Sequence, residues 1–251
     1  MKKIEKPIIE LSNICHSTKK AIVDRLYISV TKGDCFAVVY KDENNIDLLL
    51  DILAGKITPK SGKIFFKGDD ITGTKNNFGI VPRNPSVPKR KTTAEFADAP
   101  IVRRGLSRAM TDILVRKELA AVGLSDIADI PFGKMSIEEQ AKAFVFAAYM
   151  CSHELIVIDE PFSQLDSAKR TVHMEWLMNL CKTNGTSLLI FTKEAELAAE
   201  YADLVMIADK NTASNGIIAV DKRKKERALE QINERLLTAY KPVSQGLSKW
   251  L

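Results

Sequence analysis

Apolar residues recur along this chain in short runs, broken by polar turns. Residues 8–14 predict a strand, and residues 21–30 a second that ends at the turn Thr31-Lys32-Gly33-Asp34. Residues 35–40 form a short continuous apolar run, the signature of a strand buried on both faces. A polar, acidic stretch follows over residues 41–45. Leu48, Leu49, Ile52 and Leu53 then give a helical stripe within residues 46–54, closed by Gly55. Turns at Pro59-Lys60-Ser61-Gly62 and Lys67-Gly68-Asp69-Asp70 flank an exposed strand over residues 63–66. Residues 78–81 predict another buried strand.

The middle third changes character. Residues 92–122 are helix-rich with little strand signal. A helix over residues 136–150 starts with Ser136 as N-cap and Glu139 three positions on, a capping box. Four apolar residues, Leu155 to Ile158, lead into Asp159-Glu160-Pro161, the way a buried parallel strand delivers a carboxylate to its C-terminal edge. A helix over 167–183, a strand over 187–191, a helix over 194–201 and a strand over 204–208 complete the alternation. The pattern predicts an α/β domain over residues 1–220: a parallel-sheet core, a small antiparallel β subdomain, and a helical subdomain at about residues 88–150. Residues 221–251 read as a basic helical tail. Lys222-Arg223-Lys224-Lys225 opens it, and Leu229, Ile232, Leu236 and Leu237 fall on one side of a helix over 226–240 that packs on the domain, the alternative being contact with a membrane surface or a partner.

Composition narrows the function classes. A chain of 251 residues, 45% hydrophobic and 27% charged, suffices for one α/β domain with a full core. A formal net charge of +5 does not by itself suggest nucleic acid. The four cysteines (Cys15, Cys35, Cys151, Cys181) follow no metal-ligand spacing and read as reduced packing residues, which fits a cytosolic compartment. The three histidines are scattered, so no metal site is expected. No stretch approaches the ~18 apolar residues of a membrane span, and Met1-Lys2-Lys3 leads into no apolar segment of a signal peptide.

The run from Leu155 to Asp166, with its Asp159-Glu160-Pro161 and Ser163-Gln164-Leu165-Asp166, resembles the Walker B motif and D-loop of ABC transporter ATPases. Ile52-Leu53-Ala54-Gly55, Pro59 to Ile64, and Gly123 to Asp129 resemble further landmarks in the same order, so the resemblance covers roughly residues 8–220. It implies the P-loop NTPase-like architecture, ATP with Mg²⁺ as ligands, Asp159 as the Mg²⁺-associated carboxylate, and Glu160 as the general base for water. The D-loop positions are Ser163, Leu165 and Asp166.

The other ATP-handling positions depart from the family. A phosphate loop needs glycines whose backbone N–H groups wrap phosphate, a lysine, and a hydroxyl for Mg²⁺. In register, that loop is residues 40–48: Tyr40 opens it, Asn45 precedes Ile46 at the lysine position, and Asp47 takes the hydroxyl position before Leu48. It holds no glycine, and Asp42 and Glu43 add negative charge. Lys41, the one basic residue there, lies at the loop entrance. Arg83 corresponds to the Q-loop glutamine, and Lys193 to the switch histidine. Ser136 survives from the signature motif, with Ile137 and Glu138 in place of its two glycines. No Phe, Tyr or Trp lies at His16 to Thr18, where an adenine-stacking aromatic is expected.

The resemblance therefore implies a cytosolic subunit, peripheral to the membrane, beneath a transmembrane ABC permease subunit. It would pair with a second ABC-type subunit, as homodimer or heterodimer, with ATP binding lost or very weak. Asp159 and Glu160 would then persist as loop-holding residues. The alternative is an active ABC ATPase that binds nucleotide unusually. A second alternative is a soluble module acting on nucleic acid or the ribosome, favoured only by the basic run at 222–225; no nucleic-acid partner is expected. The permease is expected to dock near Arg83, Val87, Phe96 and Ile101, with Lys89 and Arg90 at the rim, unless these residues merely pack the helical subdomain.

Overall fold

The computed structural model describes residues 6–75, 78–102, 105–208 and 214–240. Its spine is a six-stranded sheet in the order β10-β9-β3-β8-β7-β6. These strands are β3 (Cys35–Val39), β6 (Gly79–Val81), β7 (Leu155–Asp159), β8 (Ser187–Thr192), β9 (Leu204–Ala208) and β10 (Ser214–Ala219). β9, β3, β8, β7 and β6 run parallel; β10 is antiparallel to β9.

The continuous apolar runs have a plain cause. Cys35, Ala37 and Val39 face one core, while Phe36, Val38 and Tyr40 face the other. β7 and β8 divide their side chains the same way. A strand covered on both faces has no position left for an exposed polar residue.

One core lies under α1 (Glu43–Leu53) and a second sheet, β2-β1-β4-β5. That sheet is antiparallel and comprises β1 (Ile9–Ser17), β2 (Ile22–Val30), β4 (Ser61–Phe66) and β5 (Asp69–Asp70). The other core takes side chains from α2 (Thr93–Val102), α3 (Arg108–Ala121), α4 (Ile137–Cys151), α5 (Ser167–Asn184), α6 (Ala195–Tyr201) and α7 (Lys225–Ala239). α4 lies directly on β6. A Cβ at Gly79 would overlap the backbone of Ala148, so the close approach requires glycine there.

Several elements differ from expectation. α1 starts at Glu43 rather than 46, because no glycine interrupts residues 43–45 and Asp42 caps the helix by accepting the Asn44 N–H at 3.0 Å. β4 starts at Ser61, so two residues read as turn belong to the strand. β10 had no counterpart in the predicted elements. It is an edge strand opening on Ser214-Asn215-Gly216, and it carries little apolar alternation.

On α7 the buried residues are Ala228, Ile232 and Leu236, whereas Leu237 is 65% exposed, off the packed face where it was placed. Part of the basic run is structural. Lys222 donates to the carbonyls of Tyr201, at 2.7 Å, and Ala202, capping α6, and Lys225 pairs with Glu200. Residues 241–251, the end of the predicted tail, lie outside the described residues. All four cysteines are free thiols. Burial pushes Cys181 up to about 12, which leaves it an inert packing group.

Among the described residues, no helix is long and apolar enough to cross a membrane, and no group of three His, Cys, Asp or Glu is placed to hold a metal.

Candidate functional site

The C-terminal ends of β3, β7 and β6 bring three residues together. β7 ends on Asp159, which is 1% exposed. β3 hands over to Tyr40, also 1% exposed. β6 is followed by Pro82 and then Arg83, whose side chain is 16% exposed. β8 lies between β3 and β7, so two strand spacings, about 10 Å, separate them. A tyrosine is long enough to cross that gap: its hydroxyl donates to Asp159 Oδ1 at 2.7 Å. Arg83 Nη1 donates to the same hydroxyl at 3.1 Å and lies 3.7 Å from Asp159 Oδ2. Oδ2 is buried and makes no hydrogen bond among the described residues.

The other arm of Arg83 turns to α1. Nη2 lies 3.2 Å from Asp47 Oδ1 and 3.4 Å from Glu43 Oε2. Lys193, just beyond β8, pairs with the other oxygen of Glu43. Its backbone N–H donates to Glu160 Oε1 at 2.5 Å. Glu160 reaches that position from a left-handed backbone, φ 50°, next to Phe162 at φ 58°. Such a conformation in a non-glycine residue costs on the order of 1–3 kcal/mol and must be held by its surroundings.

The electrostatics follow from this packing. Burial is the main cause that pushes the Asp159 carboxyl up to about 6, against the hydrogen bond from Tyr40 and the charge of Arg83. Burial, with the Asp159 charge, raises the Tyr40 phenol, so it stays protonated and donates. Burial also raises Glu160. Burial opposes the Arg83 charge, but the surrounding acidic groups outweigh it and raise its pKa. The hydrogen bond from Lys193 lowers Glu43. Four carboxylates (Glu43, Asp47, Asp159, Glu160) face two cations (Arg83, Lys193), which leaves the cluster net negative when all are ionised.

The remaining loop residues point elsewhere. Ile46 and Leu48 are buried in the core beneath α1. Asn45 is buried, and its Oδ1 accepts the Ile22 N–H at 2.8 Å. Ser136 caps α4 through a full capping box, its hydroxyl 2.9 Å from Glu139 Oε2. Glu138, beside it, bonds Lys169 at 2.5 Å. Asp166 caps α5, Leu165 is buried, and Ser163 N–H donates to the Glu160 carbonyl at 3.2 Å.

Among the expected docking residues, Arg83 and Val87 line a pocket of ≈ 90 Å³ between α4 and the loop after β7. Phe96 is half-buried in an aromatic trio, 5.3 Å from Phe132 and 5.7 Å from Phe144 between centroids. It packs the helical layer. The side chain of Ile101 lies outside the described residues. Two contributors were not put forward as site residues: Glu43, and Tyr240 at the end of α7.

Residues 48–163 match the family model described as ABC transporter, beginning immediately after the loop that holds Tyr40 and Asp47. The chain is 25% identical over 181 residues to the ABC transporter ATP-binding protein YtrE of Bacillus subtilis, covering 68% of this chain and 78% of that protein. It is 24% identical over 209 residues to the taurine import ATP-binding protein TauB of Pseudomonas aeruginosa, covering 83% and 80%. These matches support an ABC transporter ATP-binding domain. Its fold is that of a solved nucleotide-free ATP-binding cassette, with TM-score 0.77 and 18% identity over 94% of this chain and 99% of that one. It is equally that of cbiO1 from Clostridium perfringens, part of the ABC transporter complex cbiONQ, with TM-score 0.76 and 17% identity over 93% and 95%. Within this ABC fold, the parallel sheet, the antiparallel sheet and the helical layer take their expected places.

Proposed function

We propose that this chain is a cytosolic ABC transporter subunit in which an internal ion cluster has replaced ATP and Mg²⁺. It serves its transporter structurally or regulatorily, beneath a transmembrane permease subunit and beside a second ABC-type subunit. The observation that carries the reading is the Tyr40–Asp159–Arg83 contact. The carboxylate expected to serve Mg²⁺ is bonded by a phenol and faced by a guanidinium.

ATP–Mg²⁺ does not fit the residues present. Helix α1 begins where a phosphate loop would wrap its ligand. The N–H of Asn44 is committed to Asp42, and that of Lys41 to the Tyr240 hydroxyl at 3.1 Å. A carboxylate about 6 Å from a phosphate charge costs on the order of 3 kcal/mol at an effective dielectric near 20 wherever no cation neutralises it, and less where Arg83 or Lys193 does. The loss of two or three charge-assisted phosphate contacts removes about 5 kcal/mol more. Together these effects exceed what a few remaining contacts supply.

Docking to a permease needs shape and apolar contact rather than phosphate chemistry. Pro85 and Val87, against Ile137 and Phe144 of α4, form a groove suited to it.

Purification of the tagged chain from detergent-solubilised membranes tests both halves together. A polytopic membrane protein is expected to co-purify. Phosphate release by that complex is expected to be the same for wild type and Glu160→Gln. Absence of any membrane protein, or release that depends on Glu160, contradicts the proposal.

A further inference from the structure

The residue that ends α7 reaches the candidate site. Tyr240 lies at the C-cap of the helix, and its hydroxyl donates to the carbonyl of Ala208, the last residue of β9, at 2.8 Å. The same hydroxyl accepts the backbone N–H of Lys41 at 3.1 Å. The Lys41 ammonium lies over the ring, 4.9 Å from its centroid. β3 and β9 are parallel neighbours, with Val39 beside Ile207, so one phenol bridges two adjacent strand ends. A hydroxyl can donate to one and accept from the other in a single position.

The body of α7 is fixed independently. Ala228, Ile232 and Leu236 are buried in the core shared with α6 and β9, and Lys225 pairs with Glu200 of α6. The helix is therefore a firm mount. Tyr240 is the point at which it grips the loop between β3 and α1.

We propose that Tyr240 is a latch by which α7 holds the loop of residues 40–42 shut. The latch rests on the reading of this site as a closed nucleotide site and adds its control element. A phosphate-wrapping loop must leave successive N–H groups free to point at a ligand. Tyr240 takes the N–H of Lys41, and Asp42 takes that of Asn44 in the first turn of α1, so both donors are spent on the protein itself. Of these two acceptors, only Tyr240 comes from another part of the chain. A partner that shifts the end of α7 would release Lys41 directly, whereas Asp42 moves with the loop.

Residue-resolved amide hydrogen exchange on the full chain tests this. Tyr240→Phe keeps the ring and its cation contact but removes the hydroxyl bonds to Ala208 and Lys41. Exchange at Lys41 is expected to rise by about tenfold, an opening of roughly one hydrogen bond, while residues 228–236 of α7 keep the wild-type rate. Lys41→Ala keeps the backbone N–H and is expected to leave exchange at position 41 near wild type. Unchanged exchange at Lys41 in Tyr240→Phe overturns the latch. So does an equal rise across α7, which would mean that the helix itself had loosened. An equal rise in Lys41→Ala also overturns it, since the ring–ammonium contact would then be the grip. ATP binding by the wild type would overturn the proposed function and leave these exchange results standing.

Discussion

Arg83 is the residue on which the cluster turns. Its two nitrogens serve two elements, Nη1 towards Asp159 and Tyr40, Nη2 towards Asp47 and Glu43 of α1. Without it, Asp159 is a buried carboxylate with no cation beside it. Removal of one partner from such a pair is costly because the other charge stays buried. Arg83→Met should lower stability by about 1–3 kcal/mol at pH 8, given that the side chain retains some solvent contact. The pH dependence has a defined sign. The folded-state carboxyl of Asp159 sits at about 6, above its ordinary 3.8. Its neutral form therefore contributes stability that is fully present below 3.8 and is lost as pH rises through 6. In acid the neutral carboxyl does not need the arginine. The deficit of Arg83→Met should shrink between pH 8 and pH 5, as measured by denaturant unfolding at both. An equal deficit at the two values would mean that Arg83 stabilises by packing rather than by charge.

At the scale of elements, the change lies in how β3 joins α1. With no glycine in residues 40–48, the polypeptide has no reason to leave the helix early, and α1 gains residues 43–45. That extension turns Ile46 inwards, fully buried beneath the antiparallel sheet. Ile46→Lys therefore restores no phosphate contact. It places an ammonium in an apolar core, and a loss of more than about 3 kcal/mol is expected. Phosphate release by the variant should not exceed that of the same variant carrying Glu160→Gln. A Glu160-dependent signal would show that the loop opens readily into a phosphate cradle.

The same element shows what could be read in the sequence. The strand–helix alternation, the capping box at Ser136 and Glu139, and the carboxylate at the end of β7 were all legible, because each rests on local spacing. The missing glycines were legible too. The partnership of Tyr40, Arg83 and Asp159 was not: it links residues 43 and 119 positions apart, and only the strand order β3-β8-β7-β6 brings them together. Tyr240 was hidden for the same reason, 199 positions from Lys41. The edge strand β10 was missed because an edge needs little apolar alternation. Phe96 was read as a candidate anchor; its edge-on contacts with Phe132 and Phe144 come from elements far along the chain and were not legible.

At the scale of the whole molecule, the ABC fold is present, and on the proposed reading its ligand position is filled from within. The sheet, the helical layer and the groove beside Val87 depend on apolar packing, which needs no nucleotide. A chain built this way should be as well folded without ATP as with it. Isothermal calorimetry of the full chain against ATP with Mg²⁺ measures that directly. The prediction is no saturable heat at millimolar ligand, corresponding to a Kd weaker than about 1 mM and a binding free energy smaller in magnitude than about 4 kcal/mol. A micromolar Kd that disappears when residues 40–48 are altered would contradict the replacement of nucleotide by the Arg83 cluster.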